Sequence, residues 1–182
     1  LRTRRQRQMC IRDSDDTAGI TFAETSNATN VVEGGLTDTY TIVLDSKPLN
    51  NVTVSLNSDS QSSTDKSSVT FTTSNWNTAQ TITVTATDDA IDEDNHTSTI
   101  GHTSSSGDGG YNNLNLSNIT ANVSDNDTAG FSVTEVNGSI EEGGAAAYNI
   151  KLTTQPSNPV TVSLTNDSQA STNLSSVVLT AS

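Results

Sequence analysis

The sequence predicts an all-β protein, an antiparallel β-sandwich present in tandem. Three observations predict it. Apolar residues recur at every second position in short runs, such as Tyr40, Ile42 and Leu44, or Val52, Val54 and Leu56, which is the period of a half-buried strand. Turns rich in Gly, Asn, Asp and Ser separate these runs, and no stretch keeps a helical period long enough for a crossover helix. Much of the chain also occurs twice. Asn50 to Ser74 aligns without a gap on Asn158 to Ser182, with 16 of 25 positions identical.

The strands follow in order. Ile20 and Phe22 mark the first, Tyr40 to Leu44 the second, Val52 to Leu56 the third, and Val69 with Phe71 a fourth. Thr81 to Thr87 alternates most clearly, with Ile82, Val84 and Ala86 inward and threonines outward. A weak strand is expected near Ser98 to His102, and Ile119, Ala121 and Val123 close the set, about seven strands in about 110 residues. Trp76 is expected to cover one end of the core.

The repeat extends beyond the gapless block. Asp16-Thr17-Ala18-Gly19 returns as Asp127-Thr128-Ala129-Gly130, Glu33-Gly34-Gly35 as Glu142-Gly143-Gly144, and Tyr40 as Tyr148. Residues 15–125 are therefore expected to form one complete unit, and residues 126–182 a second unit holding counterparts of the first four strands only.

Leu1 to Ser14 stands apart. It holds five of the eight basic residues and the only Met and Cys, Met9 and Cys10. Met9-Cys10-Ile11-Arg12-Asp13-Ser14 resembles the translation of a transposase adapter used in sequencing libraries. The segment is set aside as such an artefact or as a disordered basic arm.

Beyond Ser14 only Lys47, Lys66 and Lys151 stand against 20 acids. A surface this negative repels phosphate backbones and anionic membranes, so nucleic-acid partners are excluded and a divalent cation becomes the natural counter-ion. One cysteine allows no disulfide framework, and no apolar run is long enough to span a bilayer. No Gly-x-Ser-x-Gly elbow appears and the serines have no evident His partner, so nothing points to an enzyme. His96 and His102, without a third ligand, make a poor zinc site.

The order of features is a Glu-Gly turn after the first strand, Pro before Val-x-Val, a Thr-Ile-Thr-Val strand running into Asp88-Asp89, and a terminal Asp125-x-Asp127. It resembles the Calx-β repeat family, especially its bacterial tandem-array members. The resemblance covers Asp15 to Ser182 and implies a Greek-key sandwich of immunoglobulin-like shape. It also implies calcium among the loops at one end, held by Glu33, Asp88, Asp89, Asp92, Glu93, Asp94, Asp125 and Asp127. Asn126 departs from the acid found in the strongest calcium-binding members. Asp59 or Asp65 is offered for a further acid ahead of the fourth strand.

Chemistry points the same way without the resemblance. Asp88 to Asp94 holds five acids in seven residues, and like charges packed so closely repel unless water or a cation screens them. Calcium takes six to eight oxygen ligands.

The expected function is that of a calcium-stabilised structural spacer or adhesion repeat in a large secreted or cell-surface protein, bacterial in type. Neighbouring repeats of the same chain are its expected partners, and an array of this kind gains length module by module. Two rivals remain open. One is a module whose loops bind a host glycan or surface protein, for which a cluster of exposed aromatics would speak; Tyr111 alone does not make one. The other is a calcium-sensing domain of a membrane protein.

Overall fold

The computed structural model describes residues 16–136 and 141–181, so the expected arm at residues 1–14 lies outside the described residues. Among them there is no α-helix, and none of them forms a span long and apolar enough to cross a membrane as a helix. Two sheets pack face to face over residues 20–124. One has the order β1 (Ile20–Glu24), β3 (Asp38–Leu44), β7 (Gln80–Ala86), β5 (Ser62–Thr64). The other runs β2 (Thr29–Val32), β9 (Ile119–Ser124), β8 (His96–Ser106), β4 (Val52–Ser58), β6 (Ser68–Phe71). Every neighbouring pair is antiparallel except β2–β9, which is parallel.

The alternating residues fill the space between the sheets. Tyr40, Ile42, Val52, Val54, Phe71, Ile82, Val84 and Ile100 are fully buried, and Trp76 packs against the edge of that cluster, as expected. The threonines of β7 face outward.

Nine strands stand where seven were expected, and three differences have physical causes. The first strand splits in two: after β1, a 3-10 turn over Thr25–Asn27 carries the chain across to the other sheet as β2. Ser26 and Asn27 take left-handed φ values of 57° and 62° there; Asn tolerates that region better than most residues. The short β5 is polar throughout and pairs only with β7. The supposedly weak strand is the longest, because β8 buries polar side chains that satisfy one another. Ser98 bonds Ser62 at 2.6 Å, the Ser104 hydroxyl accepts from the Leu114 N–H, and His102 Nε2 meets the Tyr40 hydroxyl at 2.9 Å. A carbonyl can only accept, so the bond from His102 Nδ1 to the Ser117 carbonyl places the proton on Nδ1. Tyr40 then donates to Nε2, and burial holds the His102 pKa below its ordinary value. Satisfied polar pairs can occupy a core, but they leave no hydrophobic alternation for a reader of the sequence.

Tyr111 is buried as well, its hydroxyl bonded to the Ser46 carbonyl and hydroxyl. It belongs to the core and is not a surface aromatic.

Beyond residue 126, β10 (Phe131–Glu135) pairs with β11 (Tyr148–Leu152), and β12 (Val160–Ser163) with β13 (Ser176–Leu179). No described residue of this part is buried.

Candidate metal centre

The acidic residues meet at one end of the sandwich because the core's alternation continues past the strand ends. In β2 the inward positions Thr29 and Val31 are followed by Glu33. Ile82, Val84 and Ala86 of β7 are followed in the same parity by Asp88, and Ile119, Ala121 and Val123 of β9 by Asp125. Reading β8 backwards, Ile100 and Ser98 lead to His96. Since β2 and β9 run parallel and β8 runs against β9, Glu33, Asp125 and His96 cap the same end.

Two groups of ligand atoms lie mutually within 4.8 Å. One is Glu33, Asp125 and Asp127; the other is Glu33, Glu93 and His96. Glu33 belongs to both. It is only 2% exposed, yet no hydrogen bond reaches its carboxylate. Its cover is shallow. Burial first, then the charges of Asp125 and Asp89, push its pKa up.

The turn after Glu33 brings the loops together. Gly34 has a φ of +58°, a conformation that favours glycine, and a Cβ there would stand 2.9 Å from Asp88 Oδ1 and 3.0 Å from Asn126 Nδ2, so those two side chains would have to shift. Asn126 Nδ2 donates to the Glu33 carbonyl at 2.8 Å and to Asp88 Oδ1 at 3.1 Å. The residue that departs from the acidic pattern therefore clamps the Glu-Gly turn to the end of β7.

The remaining expected ligands divide. Asp125 accepts backbone hydrogen bonds from Asp127 and Glu93, which hold its pKa low. Asp127 accepts none; desolvation, then Asp125, Asp88 and Asp89, raise its pKa. Glu93 Oε2 is held by Gln61 at 2.9 Å. Asp92 accepts from the Ala129 N–H. Asp89 folds back on its own loop, accepting from the Ile91 N–H, and reaches the cluster only through its field. Asp94 is exposed and joins neither group; its carbonyl instead accepts from His96 Nδ1 at 3.0 Å. Asp59 and Asp65 are also outside both groups. Burial raises the Asp59 carboxyl, but hydrogen bonds from Ser98, Thr99 and Gln61 outweigh it and hold the group ionised and occupied. Asp65 pairs with Lys66 and the Thr83 N–H. Sequence reasoning missed His96 as a neighbour of the acids. Its parity with Ser98 and Ile100 was the available signal.

No protein-family model matches the chain, and no curated protein matches it.

The repulsion has a pH signature. A carboxyl whose folded pKa is raised contributes stability that is fully present below its unfolded value and lost as pH rises through the folded value. For Glu33 that loss begins above its ordinary 4.5. His102, held below 6.5, acts oppositely: its contribution is complete above that value and lost as pH falls below it. Comparing Glu33→Gln with wild type isolates the first effect. In chelator the variant is expected to melt higher than wild type at pH 7, with the advantage gone by about pH 4. A constant difference across that range would show that Glu33 is not strained by charge.

Proposed function

We propose that this chain is a calcium-stabilised structural repeat of a large extracellular or cell-surface protein, a spacer or adhesion module of the Calx-β type. The observation that carries the reading is Glu33. A residue 2% exposed whose carboxylate receives no hydrogen bond, with Asp125 and Asp127 within 4.8 Å, is crowded by like charge when alone and natural beside a cation. Glu33, Asp125 and Asp127 would hold the ion, with Asp88 and Asp89 adding charge. An all-oxygen set of this kind suits a hard divalent cation.

The strand order supports the immunoglobulin-like Greek key. Setting β2 and β6 aside, seven strands remain. Their sheets join the first, second, fifth and fourth, and the seventh, sixth and third, which is the arrangement of the constant-type immunoglobulin sandwich. Local geometry supports the tandem repeat. β10 pairs with β11 as β1 does with β3. Gly34 and Gly143 both take positive φ, and the turn bond from Gly35 N to the Val32 carbonyl recurs from Gly144 N to the Glu141 carbonyl.

A spacer needs a firm junction, and the acidic loop lies at one. Asp92 binds the Ala129 N–H, and the Ala90 carbonyl accepts from the Gln155 N–H. A cation that orders residues 88–94 would therefore also order the approach to the following unit.

The test is thermal melting with calorimetry. At calcium tenfold above its dissociation constant, linkage adds about 1.4 kcal/mol per site, or roughly 4–8 °C for a domain of about 110 residues. Asp127→Asn is the clean variant, since that carboxylate accepts no hydrogen bond. In chelator it should melt slightly above wild type, because repulsion is relieved. In millimolar calcium it should lose most of the calcium increment. Equal melting of wild type in calcium and chelator, with no heat of binding, rejects the reading.

A further inference from the structure

We propose that Glu33, Glu93 and His96 form a second metal subsite that takes a borderline transition metal such as zinc, beside the oxygen-only calcium set. The inference rests on the metal-centre reading only through the shared Glu33. Two independent observations point to a ligand. Glu33 is 98% buried as a residue and no hydrogen bond reaches its carboxylate, which has an oxygen within 4.8 Å of ligand atoms of both Glu93 and His96. His96 Nε2 is fully enclosed and has no hydrogen-bond partner either.

The imidazole is set for coordination. Its Nδ1 lies 3.0 Å from the Asp94 carbonyl, which can only accept, so Nδ1 carries the proton and Nε2 keeps its lone pair in the neutral ring. Asp94 presents that carbonyl from a left-handed φ of 57°. A backbone carbonyl on the far nitrogen is the usual device for orienting a metal-binding histidine. Glu93 is held similarly, its Oε2 bonded to Gln61.

Distances fit after a small adjustment. His96 Nε2 is 3.9 Å from Glu93 Oε2, too long for a hydrogen bond. Two ligands on a tetrahedral zinc with bonds of about 2.0–2.1 Å stand about 3.4 Å apart. Nitrogen in the set decides the metal class: calcium takes oxygen, whereas imidazole suits zinc and its neighbours. His102 does not compete, since both its ring nitrogens are bonded.

The experiment titrates zinc into the whole chain in a Cys10→Ser background, which removes the one thiol. It is run by calorimetry in millimolar calcium and with cobalt as a visible-absorption probe. One zinc per chain is expected, with a cobalt spectrum of nitrogen–oxygen character. His96→Gln should weaken zinc at least tenfold while leaving the calcium increment in melting temperature in place. Asp127→Asn should do the reverse. Zinc binding that is absent, or equal in wild type and His96→Gln, overturns this proposal and leaves the calcium reading standing. Zinc binding lost in His96→Gln, in a chain that calcium does not stabilise, supports this subsite and rejects the calcium reading. Wild-type melting of His96→Gln in chelator verifies that the variant folds.

Discussion

Replacing Tyr40 with Ala is expected to cost about 3–5 kcal/mol, and replacing Tyr148 with Ala less than about 1 kcal/mol. The two tyrosines occupy equivalent positions of the repeat. Tyr40 is 0% exposed, wedged between β1 and β7, its hydroxyl bonded to His102 and its ring edge-on to that imidazole. Truncation would open a ring-sized cavity and leave the buried His102 Nε2 without a donor, and both effects destabilise. Tyr148 is 42% exposed and has a paired strand on one side only, β10. Urea unfolding of the whole chain, followed through the transition of residues 15–125, gives both numbers. Comparable losses from the two variants would mean that the second unit closes a core of its own, against the exposure of its apolar residues.

Residues 126–182 produced alone are expected to show no cooperative unfolding, to bind hydrophobic dyes and to associate. Their strands pair only two by two, and an isolated two-stranded sheet is marginal at best in water. Phe131, Val133, Tyr148, Val160 and Val178 are all exposed, although Val52, the counterpart of Val160, is completely buried in the first unit. In residues 15–125, β7 extends one sheet and β8 and β9 join the strands of the other, and the described residues of this segment include no counterpart of the three. Its open edges invite pairing with other chains. Residues 15–125 alone should instead melt in a single sharp transition. A monomeric, cooperative transition from residues 126–182 would contradict the strand assignment of the first unit, in which β7 completes the sheet.

The same contrast separates what the chain's alphabet reveals from what folding decides. Alternation and turn residues alone determine that the protein is all-β, and they locate β3, β4, β6, β7 and β9, because apolar side chains every second residue have no other way to leave water together. They also determine the acidity, the repeat and the candidate acids at residues 88–94 and 125–127. They give β8 only as a weak strand near Ser98 to His102 and do not reveal β2 or β5, because the inward faces of these three strands hold Ser, Thr and His among few apolar residues. Those side chains look like solvent-facing residues until a partner is known, and the partners lie far along the chain: Tyr40 for His102, Ser62 for Ser98, Glu24 for Thr29.

The candidate site divides along the same line. Its acids are legible as a list, but sequence gives every member of a charge run equal standing. Tertiary structure separates them. The parallel pairing of β2 with β9 brings Glu33 to Asp125 and Asp127, parity sends His96 inward and Asp94 outward, and Gly34 admits Asp88 and Asn126 to the same turn. A carboxylate becomes a candidate ligand through its neighbours across the sheets and not along the chain, since metal coordination acts over a few ångströms while the groups proposed to share it lie up to 94 positions apart, from Glu33 to Asp127.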